Sequence, residues 1–129
     1  MPAPRTKTML IIEDDPGLQT TLMATAETIG YAVRVCTTAE EGLRQAIEFK
    51  PTIIFCDVHL AKGDGRDVLT KLRANEELAD CQFVLMTGDW VGASQQTSVE
   101  FGADAYLAKP FTVGEFATCV GERYRQANL

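Results

Sequence analysis

The chain has no long apolar stretch of the kind that crosses a membrane. A membrane-spanning helix needs about 20 consecutive apolar residues, and no segment of the 129-residue chain approaches that length. The opening residues, MPAPRTKT, also lack the apolar core of a secretory signal peptide. We therefore expect a cytoplasmic protein that does not insert into a membrane.

Paired cysteines and an excess of basic residues are also missing. The four cysteines are scattered without a CxxC pair, and their apolar or helical surroundings favour small buried hydrophobes over a disulfide or a zinc site. Basic residues number 12 against 18 acidic ones, which gives a formal net charge of -6. A nucleic-acid backbone repels a chain of this charge. We therefore expect no direct contact with DNA or RNA.

Apolar segments alternate with helical patterns along the whole chain, and neither repeats nor low-complexity segments interrupt them. At 129 residues the chain has the length of one ordinary domain. The predicted strands lie at residues 8–12, 31–36, 52–56, 82–87 and 104–108. The third, TIIFC, is a continuous apolar run with β-branched residues, which favours a central strand buried on both faces.

Helix-start signals accompany several of these strands. Asp15-Pro16 is typical of an N-cap followed by proline at the first helical position, and capping boxes begin at Thr38 and Thr112. A further helix, low in apolar residues, is predicted at about 90–101. The helical residues predicted to face inward are Leu18, Leu22, Ile29, Leu43, Ala46, Ile47, Val68, Leu69, Leu72, Val113, Phe116, Ala117, Val120 and Tyr124.

Five strands and five helices in strict alternation indicate an α/β fold. Right-handed crossovers then give a parallel sheet covered by helices on both faces. The one-domain solution of this size is the flavodoxin-like doubly wound (βα)5 sheet, with strand order 2-1-3-4-5. We expect one domain over residues 1–129, with a flexible N-terminus at 1–6 and no output domain.

Three carboxylates come at the ends of two strands that should be neighbours. Glu13 and Asp14 follow the first strand, and Asp57 follows the third. In such sheets the ligand site lies at the carboxyl ends of the strands, between the first and third. At about 4 Å and an effective dielectric of about 20, each like-charged pair costs about 4 kcal/mol. The cluster should therefore take up protons or bind a cation, and hard oxygen ligands suit Mg²⁺.

Two further polar groups end strands on the same edge of the predicted sheet. Thr87 closes the fourth strand and Lys109 follows the fifth. A hydroxyl donor and an ammonium beside a metal-carboxylate cluster form an anion pocket that a phosphoryl group fits. The pattern therefore predicts a site that binds a divalent cation and a phosphoryl group together.

Five motifs occur in order along the chain, namely IIEDDP at 11–16, CDVHL at 56–60, DG at 64–65, LMTG at 85–88 and AYLAKPF at 105–111. Together they make the chain resemble the receiver domain of two-component response regulators. By this resemblance Asp57 is the phosphoacceptor. The resemblance also implies that Glu13 and Asp14 hold Mg²⁺ (or Mn²⁺) directly or through water. Asp57 and the backbone carbonyl of His59 would complete the metal ligands.

The resemblance also implies roles for residues at the ends of the fourth and fifth strands. Thr87 would hydrogen-bond the incoming phosphoryl group and Lys109 would pair with one of its oxygens. Tyr106 occupies the aromatic switch position of the family. Lys109-Pro110 is expected to be a cis peptide bond.

The implied function is a phosphorylation-dependent signalling switch in a two-component system or phosphorelay. A sensor histidine kinase or a histidine phosphotransfer protein would donate the phosphoryl group. Phosphorylation would change the surface of the fourth helix, fifth strand and fifth helix. That change would alter binding to a downstream protein, to an output domain, or to a second copy in a dimer. The chain would catalyse only its own phosphorylation and dephosphorylation, so it is not expected to be an enzyme in the ordinary sense.

Several positions depart from the common family pattern. Ala61 stands where proline is common, and Gly88 stands where alanine is common, so both loops should be less rigid. His59 and Asp89 lie where family members tune the lifetime of the acyl phosphate. The helix at about 90–101 contains GASQQTS, with few apolar anchors, and we expect it to be mobile before phosphorylation.

Three other functions fit the sequence less well. A phosphatase of the haloacid dehalogenase type needs a second acid two residues after the nucleophile, where this chain has His59. A pseudo-receiver that binds partners without phosphate would not need the full set of key groups. A flavin or nucleotide carrier needs a glycine- or hydroxyl-rich phosphate loop after the first strand, where EDDPG has the wrong charge.

Overall fold

A computed structural model describes residues 6–88 and 102–128 of the chain. Its strands and helices, in chain order, are β1 (Thr8–Ile12), α1 (Pro16–Thr28), β2 (Ala32–Cys36), α2 (Ala39–Phe49), β3 (Ile53–Asp57), α3 (Gly65–Arg73), β4 (Gln82–Thr87), β5 (Ala105–Ala108) and α4 (Val113–Ala127). The helix predicted at about 90–101 lies outside the described residues. Within the described ranges, no helix combines the length and the apolar character needed to cross a bilayer.

The five strands form one parallel sheet in the order β2-β1-β3-β4-β5. This order confirms the predicted flavodoxin-like α/β fold. The sheet reverses its winding direction between β1 and β3, which is where doubly wound sheets open a crevice at the carboxyl ends of their strands. Ile12 pairs with Cys56 across these two strands, and the residues that follow them therefore emerge side by side.

The core divides into two apolar clusters, one on each face of the sheet. Successive residues of a strand point to opposite faces, so Leu10 and Ile12 pack in one cluster and Met9 and Ile11 in the other. Helices α2 and α3 cover the first face, and α1 and α4 cover the second. All four cysteines lie within the described residues and are buried, as expected of small hydrophobes, and no disulfide joins them.

The predicted helix-start residues all act as N-caps, but of the two predicted capping boxes the one at Thr112 forms both of its hydrogen bonds and the one at Thr38 forms one. The Asp15 carboxylate accepts hydrogen bonds from the first backbone N–H groups of α1. Thr38 caps α2. The Thr112 hydroxyl and the Glu115 carboxylate each accept from the other's backbone N–H, which completes a capping box at α4. These contacts satisfy N–H groups that have no partner inside the helix.

Three apolar residues predicted to face inward are instead exposed, so that part of the prediction was wrong. Ile29 is 37% exposed, Ile47 54% and Val113 49%. Ile29 is the C-cap residue of α1, so it lies just past the end of the helix whose buried face includes Leu22 and Ala26. Ile47 follows the fully buried Ala46, and one step along a helix rotates the side chain by about 100°. Val113 is the first residue of α4 and precedes the turn that reaches the sheet.

Candidate functional site

The carboxylates of Glu13, Asp14 and Asp57 meet at the carboxyl ends of β1 and β3. One oxygen from each lies within 4.8 Å of the others. Glu13 and Asp57 are buried, and Asp14 is half-buried. The convergence follows from the register, because β1 and β3 are hydrogen-bonded neighbours that end at the same edge of the sheet. The sequence predicted this cluster, and all three predicted acids belong to it.

Lys109 reaches this cluster from the loop after β5. Its ammonium Nζ donates to Glu13 Oε1 at 2.5 Å and to Asp57 Oδ2 at 2.9 Å. The ammonium therefore partly balances two of the three negative charges. The Lys109-Pro110 bond is cis, as the family resemblance implied.

Glu13 is the most deeply buried acid of the cluster, with only 1% of its surface exposed. Burial raises its pKa, and this outweighs the lowering by Lys109 and by the backbone N–H of Asp15, which donates to Oε2 at 3.1 Å. Burial also opposes the charged form of Lys109. Its hydrogen bonds to Glu13 and Asp57 outweigh that cost and raise the pKa of the lysine. The lysine thus stays an ammonium, and the Glu13 carboxyl holds its charge less readily than an exposed one.

The backbone around Asp57 fixes its carboxylate in the crevice. Its Oδ1 accepts a hydrogen bond from the His59 N–H at 3.2 Å. The next residue, Val58, donates its N–H to Met86 O of β4 at 2.8 Å and accepts one from Gly65 at 2.9 Å. The strand end is therefore tied both to the neighbouring strand and to the start of α3. This leaves Oδ2 directed to Lys109.

Gly65, in the DG motif, allows α3 to begin directly against the strand that carries Asp57. A Cβ on Gly65 would lie 2.2 Å from the Asp57 carbonyl oxygen and 3.0 Å from Cys56 Sγ. Both neighbours are buried, and one of them is backbone. No side chain fits here without displacement of the strand end. The preceding Asp64 caps α3, and its bonds to Arg66 lower the pKa of its carboxyl.

We expect Gly65→Ala to destabilise the fold by about 1–3 kcal/mol, because the added methyl group overpacks a buried backbone contact. The measurement is the free energy of unfolding in urea. Gly121→Ala is the matched control. A Cβ at Gly121, inside α4, would meet nothing within 4 Å, so this change should be neutral or stabilise by about 0.5–1 kcal/mol. Equal effects of the two changes would contradict the close approach at Gly65.

The remaining predicted site residues lie around the cluster rather than in it. Thr87 ends β4, is buried, and accepts the Lys109 N–H on its carbonyl oxygen at 2.9 Å. Tyr106 lies in β5, pairs with Leu85 of β4, and is half-buried at a groove between β5 and α4. His59 is exposed. Asp89, predicted to tune the acyl phosphate, lies outside the described residues.

Sequence reasoning missed two contacts that organise the cluster. The Gln19 side-chain amide donates to the Glu13 carbonyl oxygen from one turn into α1. The backbone N–H of Ala61 donates to Asp14 Oδ2 at 2.6 Å. Every residue type other than proline has the same backbone N–H, so a sequence pattern cannot indicate which N–H contacts Asp14. The second contact is therefore visible only in the folded structure. The glutamine is one polar residue on a helix rich in threonine, and nothing in its spacing marked it.

The donor set suits a small divalent cation. Three carboxylates offer hard oxygen ligands in one crevice, and such ligands are what Mg²⁺ prefers. Lys109 contacts two of these three carboxylates, so their formal negative charge exceeds the one positive charge of its ammonium. The residues of the cluster therefore fit a divalent cation.

A family model described as the response regulator receiver domain matches residues 9–120. The chain therefore belongs to the receiver-domain family of response regulators. The DNA-binding dual master transcriptional regulator RpaA of Synechocystis is 32% identical over 120 residues, which cover 93% of this chain and 50% of that protein. The chain thus spans about half the length of this curated relative.

Solved structures show the same fold with groups bound. A response regulator protein from Burkholderia pseudomallei, crystallised with a phosphorylated aspartic acid, calcium ion and citrate, is 30% identical, with a TM-score of 0.79 over 93% of this chain and 69% of that one. The receiver domain of a sensor histidine kinase from Pseudomonas aeruginosa has a magnesium ion coordinated in its active-site cleft. It is 24% identical, with a TM-score of 0.83 over 94% of this chain and 99% of that one.

Proposed function

We propose that Asp57 accepts a phosphoryl group from a phosphohistidine in a Mg²⁺-dependent reaction, and that this reaction switches the chain between two signalling states. The observation that carries the proposal is the meeting of three carboxylates with the Lys109 ammonium, which lies 2.9 Å from Asp57 Oδ2. The phosphorylated aspartic acid in the Burkholderia relative supports it. The donor would be a sensor histidine kinase or a histidine phosphotransfer protein.

Glu13, Asp14 and Asp57 would hold the cation, with the His59 carbonyl as a further ligand, and Mn²⁺ is a second candidate. The magnesium ion in the Pseudomonas receiver domain supports this choice. A bound cation would neutralise negative charge that develops on the phosphoryl oxygens. Lys109 and the Asp15 N–H would hold the Glu13 carboxylate in place for the cation.

The chain's own part in the transfer is positioning and charge balance. An Asp57 carboxylate oxygen forms the bond to phosphorus while the phosphorus–nitrogen bond of the phosphohistidine breaks. The imidazole leaves with the electron pair and takes up a proton. Phosphoryl transfer needs an in-line nucleophile and neutralised oxygen charge more than further covalent chemistry. Lys109 already contacts Asp57, so its ammonium is placed to follow the new phosphoryl oxygens.

Thr87 and Tyr106 would convert phosphorylation into a change of surface. The Thr87 hydroxyl would turn to a phosphoryl oxygen and vacate space that the Tyr106 ring enters. The backbone hydrogen bond from the Lys109 N–H to the Thr87 carbonyl oxygen joins the ends of β4 and β5, which would move together. The phosphoryl group shifts this equilibrium only by binding one state better than the other. The altered surface around β5 and α4 would then change affinity for a downstream protein, an output domain or a second copy.

We also propose that the chain acts in the cytoplasm as one receiver domain. Its enzymatic work would be limited to its own phosphorylation and dephosphorylation. The haloacid dehalogenase alternative gains no support, because the side chain two residues after Asp57 belongs to an exposed histidine. A pseudo-receiver would not need a lysine on its acceptor carboxylate.

Incubation with a small acyl phosphate, with Mg²⁺ or with a chelator, tests this proposal. We expect intact mass to show one added phosphoryl group with Mg²⁺ and none with the chelator. Continuous release of phosphate from a phosphomonoester would instead support a phosphatase. An unchanged mass in both conditions would contradict the proposed function.

A further inference from the structure

The loop after Asp57 contacts the acidic cluster through its backbone. The N–H of Ala61 donates to Asp14 Oδ2 at 2.6 Å, across 47 positions in the sequence. A short hydrogen bond from a neutral N–H to a carboxylate belongs to the stronger class of hydrogen bonds in proteins. Ala61 itself is exposed, so its methyl group makes little contribution to packing. The contact of interest therefore belongs to the main chain.

Two contacts with α2 hold this loop in place. The Lys62 carbonyl oxygen accepts the N–H of Ala39 at 3.1 Å. Gly63 has a φ of 113°, and a Cβ there would lie 2.3 Å from Ala39 Cβ. A glycine is required at this position both by the backbone conformation and by the close approach. The start of α2 thus supports the loop directly beside the residue that donates to Asp14.

The far end of the loop is fixed as well. His59 and Asp64 form an antiparallel bridge across it, and Gly65 donates its N–H to Val58 O at 2.9 Å. The loop is therefore closed on itself between the strand that carries Asp57 and α3. A closed, supported loop can hold one N–H at a fixed point in the crevice.

We propose that the backbone N–H of Ala61 is a positioning group that orients the Asp14 carboxylate for a divalent cation. This inference rests on the proposed function, in which Asp14 helps to hold the cation. A carboxylate accepts several hydrogen bonds or ligands at once, so one N–H leaves capacity for a metal. An acid that is already oriented loses less conformational freedom when the cation binds. The loop contact thus raises affinity for the cation.

The same contact couples the cation to the loop. Coupling between two equilibria is reciprocal. If the Ala61 N–H strengthens cation binding through Asp14, the bound cation must stabilise the loop in the conformation that makes this bond. The loop after Asp57 therefore strengthens cation binding, and the bound cation in turn stabilises the conformation of that loop.

The test measures the Kd for Mg²⁺ by calorimetric titration of the chain with Mg²⁺ alone. It compares the variants Ala61→Pro and Ala61→Ser with the unmodified chain. Proline has no N–H to donate, whereas serine retains it. We expect the Kd for Mg²⁺ to rise about tenfold in Ala61→Pro, the lower end of what loss of a group supporting a metal ligand costs. Ala61→Ser should bind as the unmodified chain does. Equal or tighter binding by Ala61→Pro would overturn the inference.

A second measurement uses the unmodified chain and is independent of whether the proline variant folds. We expect amide hydrogen exchange at Ala61 to slow several-fold when Mg²⁺ saturates the site. An exchange rate at the Ala61 amide that is the same with and without Mg²⁺ would overturn the coupling. The amide of Gly121, far along α4, should show no such response and serves as the internal control.

The outcomes separate this inference from the proposed function. An unmodified chain that binds no Mg²⁺ would overturn both. A chain that binds Mg²⁺ equally with proline or alanine at position 61 would overturn only the positioning role. A chain that binds Mg²⁺ but takes up no phosphoryl group would contradict the proposed function, while the comparison of the two variants would still decide the role of Ala61.

Discussion

Asp57→Asn is expected to abolish phosphoryl uptake from a small acyl phosphate while the fold remains intact. The amide that replaces the carboxylate is a poor nucleophile, and it removes the charge that Lys109 contacts at 2.9 Å. The loss should be complete rather than partial, because the other two acids of the described crevice, Glu13 and Asp14, are proposed to hold the cation rather than to accept the phosphoryl group. Electrophoresis in a gel that retards phosphorylated protein measures phosphoryl uptake. Far-ultraviolet circular dichroism of the same samples shows whether the fold is intact.

Asp67→Asn is the matched control for this change. Asp67 is an exposed residue in the first turn of α3, so the same chemical change occurs outside the crevice. We expect phosphoryl uptake by this variant to equal that of the unmodified chain. Persistent phosphorylation of Asp57→Asn would show that another residue accepts the group.

Lys109→Met is expected to have two large effects. The first is on stability without metal, because Glu13 and Asp57 would lose the ammonium that contacts both of them. Breaking a buried pair by removing one partner costs about 3–5 kcal/mol. Lys109 keeps 23% of its side chain exposed, so we expect a smaller loss of about 2–3 kcal/mol at pH 7. Urea unfolding in a chelator measures it.

The second effect of Lys109→Met is on phosphoryl transfer. Loss of one positive group aimed at developing charge typically costs about 100-fold in rate or more, and we expect a loss of that order. Mg²⁺ at about 100 times its Kd should recover about 2.7 kcal/mol of stability, but not this rate. Lys71→Met, at an exposed position of α3, should leave both quantities unchanged. A variant of Lys109 with unchanged rate and stability would contradict the assigned contacts.

The sheet order and the location of the cluster could be predicted from the sequence because both follow from periodicity. Alternating strand and helix patterns leave few topologies, and parallel strands bring their carboxyl ends to one edge. Glu13 and Asp57 were thus expected to meet before any distance was known. The capping residues could also be predicted, because Asp15 and Thr112 contact backbone groups no more than four residues away in the sequence.

Details that depend on long-range packing could not be read in the same way. Ile47 belongs to an apolar pattern, but its exposure depends on how α2 is rotated against the sheet. The donation from Ala61 to Asp14 joins backbone to side chain across two loops, and a sequence does not encode such a contact in residue types. Gly65 belongs to a motif that the sequence shows, but the reason for a glycine at this position is the nearby Asp57 carbonyl oxygen. That contact is visible only in the folded structure.

Peptide mapping of the phosphorylated chain tests the central claim most directly. After exposure to a small acyl phosphate, borohydride reduction converts a phosphorylated aspartate into a stable derivative whose position mass spectrometry can assign. We expect the derivative at residue 57, only in samples that contained Mg²⁺, and absent from the other acids of the crevice. A derivative at Glu13 or Asp14, or equal labelling of residue 57 in a chelator, would contradict a cation-assisted transfer to Asp57.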